Sequence, residues 1–543
     1  MNPVKRIWHK FKRETGSHRA RVYHGISSVR RKAHPIYYMF RSFFRLVLHT
    51  QHTEIQAIGL ENIPPDGSVM LVGNHPNSYL DYLHLLNAVR HPVASAAKDV
   101  ITNWPFLGQL LRQYMMLIPI ARRQDQDITG STEEERRQAN AEAVRETVEL
   151  LVQGRLYNIF GEGRSTDSRK LNKIKLGFMH IALQAEREFN YKLNLRIVPF
   201  GFFYDRINKF QSSAVIIFGK PFKLNNLDKI PDDFLSLSLS EQIKVEKKLL
   251  VRGKERMQRE IESIIISISD RDLISLIDDA TALYVLTPSK FMGAYKNIRE
   301  KYHLSKMLAD CFQKASLTTA GRTRLEELKL KLDTYRKELK RLRLVDGLVR
   351  REHGWAEFGF HLGAVLRSLI NLPFIIYGKL FNFLPHRMGR LARYYTIKVK
   401  KKPKVDGDES ALIAAIITAF STYPVFGALL GCLIYVYGLP WLLAWTTAFC
   451  ATHGFAWLAG FVAALQGYLA LLTVGLALLS IYLMARLWRV ANRHFMGLRA
   501  AALWLRDSVI EITRQRDVEL VRQQRYEILD CIDFIIGEYD SDE

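Results

Sequence analysis

From Ala411 to Ala485 the chain contains no Asp, Glu, Lys or Arg. A water-soluble domain needs charged residues on its surface, so a run of this length restricts what the chain can fold into. The mean hydropathy of −0.06 conceals it, because the rest of the chain is strongly polar. The run is flanked by basic residues on both sides: the cluster Lys398–Lys404 before it and Arg486, Arg489, Arg493 and Arg499 after it. Basic flanks mark the cytoplasmic side of a bilayer, so two such flanks require an even number of crossings. With about 20 residues to a crossing, the pattern predicts two transmembrane helices, Ile413–Tyr437 and Gly467–Ala485. The stretch between them, Trp441 to Ala464, is then re-entrant or on the far side, with His453 as a polar anchor.

The net charge of +24 calls for a polyanionic neighbour. With apolar runs beside the basic clusters, that neighbour is an anionic lipid membrane. A nucleic acid is not expected, since no helix-turn-helix or aromatic-basic recognition pattern is present. Cys311, Cys432, Cys450 and Cys531 are scattered and form no CxxC pair, so neither a zinc site nor a disulfide framework is implied.

Along the chain, residues 1–50 are rich in Lys and Arg, with Glu14 the one acid. They read as a basic amphipathic arm on a membrane or as an organelle transit peptide, and Ile36–Phe40 with Phe43 and Phe44 suit a helix in the lipid interface. In residues 51–225 short apolar runs alternate with helical patterns. The runs are near Glu54–Ile58, Val69–Val72, Met115–Ile120, Leu156–Phe160, Arg196–Phe203 and Ala214–Phe218, and the clearest helical stretch is Glu133 to Val152. That alternation predicts an α/β domain. Residues 226–350 predict a charged helical domain, and 351–405 an interfacial or re-entrant apolar hairpin flanked by arginines. Residues 406–490 hold the transmembrane region, and 491–543 an amphipathic cytoplasmic helix with an acidic end.

Four stretches of the α/β region carry chemistry-bearing residues. The first, Gly73-Asn74-His75-Pro76-Asn77-Ser78-Tyr79-Leu80-Asp81, joins an apolar run to a helical pattern, so it reads as strand, tight turn and helix start. In such a turn an Asp carboxylate can fold back on the imidazole, fix its tautomer and leave the other nitrogen as a base. Spacing alone is a weak signal and fits an ordinary polar turn better. The second stretch, Leu117–Arg123, is a strand ending in Arg122 and Arg123, whose guanidinium forks match a phosphate. The third, Ile159–Ser168, contains Gly161-Glu162-Gly163 after a strand, where ligands sit in α/β sheets, and continues to Lys175 and Gly177. The fourth is Ile197-Val198-Pro199-Phe200-Gly201-Phe202-Phe203-Tyr204.

Taken in order, these stretches resemble the four motifs of the glycerolipid (PlsC-type) acyltransferase superfamily, over about residues 51–225. The family's first motif usually separates His and Asp by four residues; here five intervene, Pro76 to Leu80. That departure resembles the branch of the yeast glycerol-3-phosphate/dihydroxyacetone-phosphate acyltransferases and their bacterial relatives, with an "NHxNxxxD" loop. The third motif, usually "FPEGTRS", is here "FGEGRSTD", and Ser165, Asp167, Lys175 and Gly177 match the branch's "PEGxSHD…LKxG". Lys209-Phe210-Gln211-Ser212 and Phe218-Gly219-Lys220-Pro221 resemble its "KFRS…FGxP".

The resemblance implies a PlsC-like mixed sheet flanked by helices, followed here by the helical domain and C-terminal transmembrane helices. It implies acyl transfer from acyl-CoA or acyl-carrier protein to a hydroxyl of a phosphorylated glycerol acceptor, with no cofactor and no metal. His75 would act as general base and Asp81 would orient it. Arg122 and Lys175 would bind the acceptor phosphate, and Asn74, Glu162, Gly163 and Ser165 would line the substrate site. The expected acceptor is glycerol-3-phosphate, in phospholipid synthesis. The alternatives are 1-acylglycerol-3-phosphate or another lysophospholipid, and a catalytically silent membrane scaffold that keeps the fold. The catalytic domain is expected on the cytoplasmic face of an integral membrane protein.

Overall fold

The computed structural model describes residues 33–98, 102, 107–121, 132–165, 169–207, 212–231, 234–284, 297–349, 355–401, 404–433, 436, 439–452 and 469–540. The chain divides into two compact units. One comprises Met1–Pro288, Ala294–Asp346 and Arg516–Glu543, and the other Ser289–Gly293 and Gly347–Gln515.

The first unit is built on a sheet. Among the described residues seven strands form it: β1 (His52–Ile58), β2 (Val69–Gly73), β3 (Val93–Lys98), β4 (Leu117–Ile120), β5 (Leu156–Phe160), β6 (Arg196–Tyr204) and β7 (Ser212–Phe218). Their order is β1-β7-β6-β2-β5-β3-β4, with every neighbouring pair parallel except β6 and β7. Helix α1 (Pro35–Gln51) precedes the strands, and α2 (Tyr79–Ala88), α3 (Leu107–Met115), α4 (Glu133–Val152) and α5 (Gly177–Glu188) are interleaved with them. Helix α6 (Leu239–Ile264) follows β7.

A parallel sheet must be covered on both faces, so its central strand, β2, is apolar throughout. In β2, Val69 and Leu71 pack with Leu85 and Val89, while Met70 and Val72 pack with Phe178, Met179, Leu249 and Met257 from α5 and α6. Each such burial contributes roughly 1.5–3 kcal/mol. The period-two alternation of side chains places these two sets on opposite faces. Helix α4 has the predicted bounds, and a capping box explains its start: the Thr132 hydroxyl accepts from the Glu135 N–H, while Glu135 reaches back to the Thr132 N–H. Strand β3 was not expected. Its sequence, Val-Ala-Ser-Ala-Ala-Lys, lacks the bulky alternation that marks a strand. It forms because β4 and β5 flank it on both sides.

The interfacial reading of α1 meets a different use of its face. Tyr37 and Leu48 are fully buried, the Val93 N–H donates to the Tyr37 hydroxyl at 3.1 Å, and Arg41 donates to the Arg90 carbonyl. The rest of the unit is helical: α7 (Arg271–Tyr284), α8 (Ile298–Leu317) and α9 (Thr319–Leu342). A C-terminal helix (Gln515–Tyr539) returns to them, burying Ile528, Ile532 and Ile535 and pairing Arg525 with Asp346 at 3.0 Å. Residues 491–543 were expected as one helix. The observed chain breaks between Thr513 and Gln515, and the two parts fall in different units.

The second unit holds α10 (Trp355–Ile370), α11 (Leu372–Tyr394), α12 (Lys404–Leu433), α13 (Leu439–Thr452) and α14 (Leu469–Thr513), and the C-terminal helix of the first unit is α15. Helix α11 packs on α12 and α14. Glycines allow close approach: a Cβ on Gly378 would lie 2.7 Å from the Leu487 carbonyl oxygen, and one on Gly389 2.9 Å from that of Ala411. Buried and half-buried polar groups are paired across the helices, Lys379 with Asn492, Asn382 with Tyr423, and Ser368 with His494. Large apolar side chains meanwhile face outward, among them Ile370, Phe374, Leu380, Phe383 and Trp441.

The 351–405 stretch, expected as an interfacial or re-entrant hairpin, is a bent helix pair, the geometry of a broken span or of a re-entrant loop. Its halves, Phe358–Ile370 and Leu372–Val399, meet at 65°, and only together are they long and apolar enough to cross a membrane. No single helix among the described residues passes that test; Ile413–Leu429 is a shorter apolar helix. The expected crossings Ile413–Tyr437 and Gly467–Ala485 fall on α12 and α14, and both also include residues outside the described ones. The same holds for His453 and for residues 1–32 of the basic arm.

Candidate active site

Three of the motif strands lie side by side. Gly73 at the carboxyl end of β2 is in register with Phe160 of β5 on one side and Phe200 of β6 on the other. Ligands of open α/β sheets sit outside such carboxyl ends. Gly73 is required by this crowding, because a Cβ there would lie 2.4 Å from the Phe200 ring.

The turn that follows brings His75 and Asp81 into direct contact, with Nδ1 and Oδ2 2.8 Å apart. The five-residue gap is accommodated at Ser78, which adopts φ 49° and ψ −129°, a conformation that side chains avoid. Two contacts hold the bulge: the Ser78 N–H donates to Ser165 Oγ at 2.9 Å, and the Asn77 amide donates to the Ile207 carbonyl at 3.0 Å. Asp81 lies in the first turn of α2, where a helix N-terminus favours negative charge.

Asp81 is completely buried, while the His75 side chain keeps 14% of its surface exposed. A substrate can therefore touch the imidazole but not the carboxylate. An ionised carboxylate only accepts hydrogen bonds, so its contact fixes the proton on Nδ1 and leaves Nε2 with a free lone pair. The buried charge is satisfied from three sides: by His75, by the Asn77 N–H at 2.7 Å on Oδ2, and by the Tyr204 hydroxyl at 2.5 Å on Oδ1. The Phe160 ring stacks on the imidazole, centroids 3.9 Å apart and planes 5° apart, and sets its tilt.

Glu162 ties the first motif to the third. One carboxylate oxygen accepts the His75 N–H at 2.8 Å; the other accepts the Asn172 N–H at 3.1 Å and the Asn172 side-chain amide. The side chain is buried, so it holds the backbone of the base in place. Asn74 does the same for the fourth motif, its Oδ1 accepting from the Phe202 N–H at 2.9 Å. Gly163 has φ +67°, and a Cβ there would lie 3.0 Å from the Lys175 amine. The glycine therefore provides both the turn and the room for Lys175 to fold over it. The Lys175 N–H donates to the Gly161 carbonyl at 2.9 Å, which keeps the lysine beside the same turn.

The structure thus gathers His75, Asp81, Asn74, Glu162, Gly163, Ser165 and Lys175 at one end of the sheet. Arg122 lies outside the described residues. Two participants were not assigned from sequence. Tyr204 closes the fourth motif but is reached only through β6 lying beside β2. Asn172 is a plain loop residue whose partner is known only from the fold. Among the described residues no cluster of His, Cys, Asp or Glu could hold a metal ion.

Residues 54–202 match the family model described as Acyltransferase. No curated protein is significantly similar to the chain. Among solved structures, the crystal structure of the 1-acyl-sn-glycerophosphate (LPA) acyltransferase PlsC from Thermotoga maritima is similar at 18% identity. The match covers 41% of this chain and 80% of that one, with a TM-score of 0.27.

Proposed function

We propose, from the glycerolipid (PlsC-type) acyltransferase domain that residues 54–202 carry, that this protein acylates glycerol-3-phosphate at a membrane surface, with His75 as general base. The observation that carries the reading is the His75–Asp81 contact of 2.8 Å, with Asp81 buried and the imidazole accessible.

In this mechanism His75 Nε2 takes the proton of the acceptor hydroxyl as its oxygen attacks the thioester carbonyl of acyl-CoA or acyl-carrier protein. Asp81 stabilises the imidazolium that forms. The tetrahedral intermediate collapses, the C–S bond breaks, and the imidazolium returns its proton to the departing thiolate. No acyl-enzyme is needed. Lys175, folded over Gly163, and Arg122 supply positive charge for the acceptor phosphate. The exposed apolar side chains of α10–α13 and the basic residues Arg387, Arg390, Arg393 and Lys398 suit a bilayer and its headgroups. They support an integral membrane protein with its catalytic unit on the cytoplasmic face.

The acceptor is tested by supplying the purified enzyme with acyl-CoA and either radiolabelled glycerol-3-phosphate or lysophosphatidate. Faster acylation of glycerol-3-phosphate is expected. Preference for lysophosphatidate would move the protein to the second step of the pathway, and acylation of neither would leave the scaffold reading. High salt, which screens electrostatic binding, should not release the protein from membranes.

A further inference from the structure

Asp81 has two carboxylate oxygens, and only Oδ2 serves His75. Oδ1 accepts from the Tyr204 hydroxyl at 2.5 Å, inside the protein, where water does not replace a lost donor. Tyr204 is the last residue of β6, and its ring is fixed on three sides. It stacks near Phe202 (6.0 Å, 25°), and His84 and His52 lie 5.5 and 6.0 Å away. The phenol therefore reaches Asp81 from a strand, while His75 reaches it from a turn with a strained residue at Ser78. Of the two, the strand is the fixed reference.

We propose that Tyr204 is a positioning residue of the acyl-transfer site: by anchoring Asp81 Oδ1 it sets the plane of the carboxylate and the share of its charge that faces His75. The proposal rests on the dyad reading above.

Two properties of the surroundings suit this role. Burial and the neighbouring Asp81 charge push the Tyr204 phenol well above the ordinary tyrosine range, so it remains a donor at any working pH. His84, one turn along α2 from Asp81, and His52 on β1 are both held neutral by burial, so neither competes with His75 for the carboxylate. Glu162 is engaged with the His75 N–H and Asn172, and Arg169, across the adjoining cavity, is paired with Asp278.

The test is Tyr204→Phe in the full-length membrane enzyme, which keeps the ring and deletes the donor. The expected loss is about tenfold to hundredfold in kcat, the scale of one hydrogen bond to a charged group. KM should stay within about twofold for both substrates, since the buried Tyr204 hydroxyl is engaged with Asp81. With the phenol gone, more carboxylate charge faces the imidazolium, so the acidic limb of kcat/KM against pH should move to higher pH. In an Asp81→Asn background the same substitution should cost less than about twofold. An unmoved limb, or a full loss in the Asp81→Asn background, would show a merely structural role and overturn the proposal. Should the variant fold poorly, 3,5-difluorotyrosine at position 204, a stronger donor, should move the limb to lower pH, and an unmoved limb would count equally against it. Full activity of His75→Ala would instead remove the dyad reading itself, which separates the two failures.

Discussion

The two units of this protein use apolar residues in opposite ways. In the sheet-based unit the apolar side chains of β2 and β6 are buried, and one set of buried polar groups, Asn74, Asn77, Asp81 and Glu162, meets at a single turn. In the helical unit small residues and polar pairs such as Lys379 with Asn492 lie between helices, while Ile370, Phe374 and Leu380 face outward. The first arrangement is what water imposes. The second is favourable where the solvent is itself apolar and helix association depends on close packing and hydrogen bonds. Chemistry is therefore expected to reside in one unit and membrane residence in the other, and mutations should separate the two.

Among the residues that support His75, the largest expected effect is at Asp81. Asp81→Asn should lower kcat/KM by about 10³-fold through loss of the tautomer and of the imidazolium's partner, with membrane residence unchanged. A rate within tenfold of wild type would break the chemical half of the contrast. Next is Glu162→Ala, which leaves the His75 N–H without its acceptor. A loss of about 10–100-fold is expected, and a solvent-exposed role for Glu162 would give far less. In the helical unit, Gly378→Leu forces side-chain atoms against the Leu487 carbonyl and should destabilise that unit by about 1–3 kcal/mol. Unfolding in graded detergent would measure it, and the protein that stays folded should keep its rate within twofold.

A further effect, read in stability against pH rather than in a variant, is acid sensitivity of the sheet unit. Burial lowers His52 from its ordinary value to about 4, so the folded state resists a proton that the unfolded chain accepts below about pH 6.5. The stability is whole above that pH. It falls as pH drops from 6.5 towards 4, by on the order of 3 kcal/mol. His84 is shifted in the same direction by burial and by His52. Thermal midpoints between pH 7 and pH 4 check this, and a flat profile would show that the pair is hydrated.

How much of this was readable in the sequence varies by element. The strands of the first, third and fourth motifs were legible because each is a largely apolar run closed by Gly or a polar residue, at Gly73, Gly161 and Asp205. Strand β3 was not, because Ala94, Ala96 and Ala97 gain their place from flanking strands. His75 and Asp81 were legible as a pair, but whether they touch depended on one residue's dihedrals, at Ser78. Glu162 was expected from the resemblance to line the substrate site; the fold adds that its oxygens accept from the His75 N–H and from the backbone and side chain of Asn172. Tyr204 lay in view at the end of the fourth motif, and only strand order shows that it meets Asp81. The charge-free run Ala411–Ala485 pointed to a bilayer, yet the pair Phe358–Ile370 and Leu372–Val399, bent just before Pro373, is what is long and apolar enough among the described residues.

The central claim is that His75 is the base of an acyl transfer to a phosphorylated glycerol. It is tested most directly by single-turnover acylation of radiolabelled glycerol-3-phosphate by His75→Ala, reconstituted in vesicles beside wild type. The account predicts that the variant inserts normally and that labelled product falls by about 10³-fold or more. Product formation at the wild-type rate in a correctly inserted His75→Ala protein would contradict it.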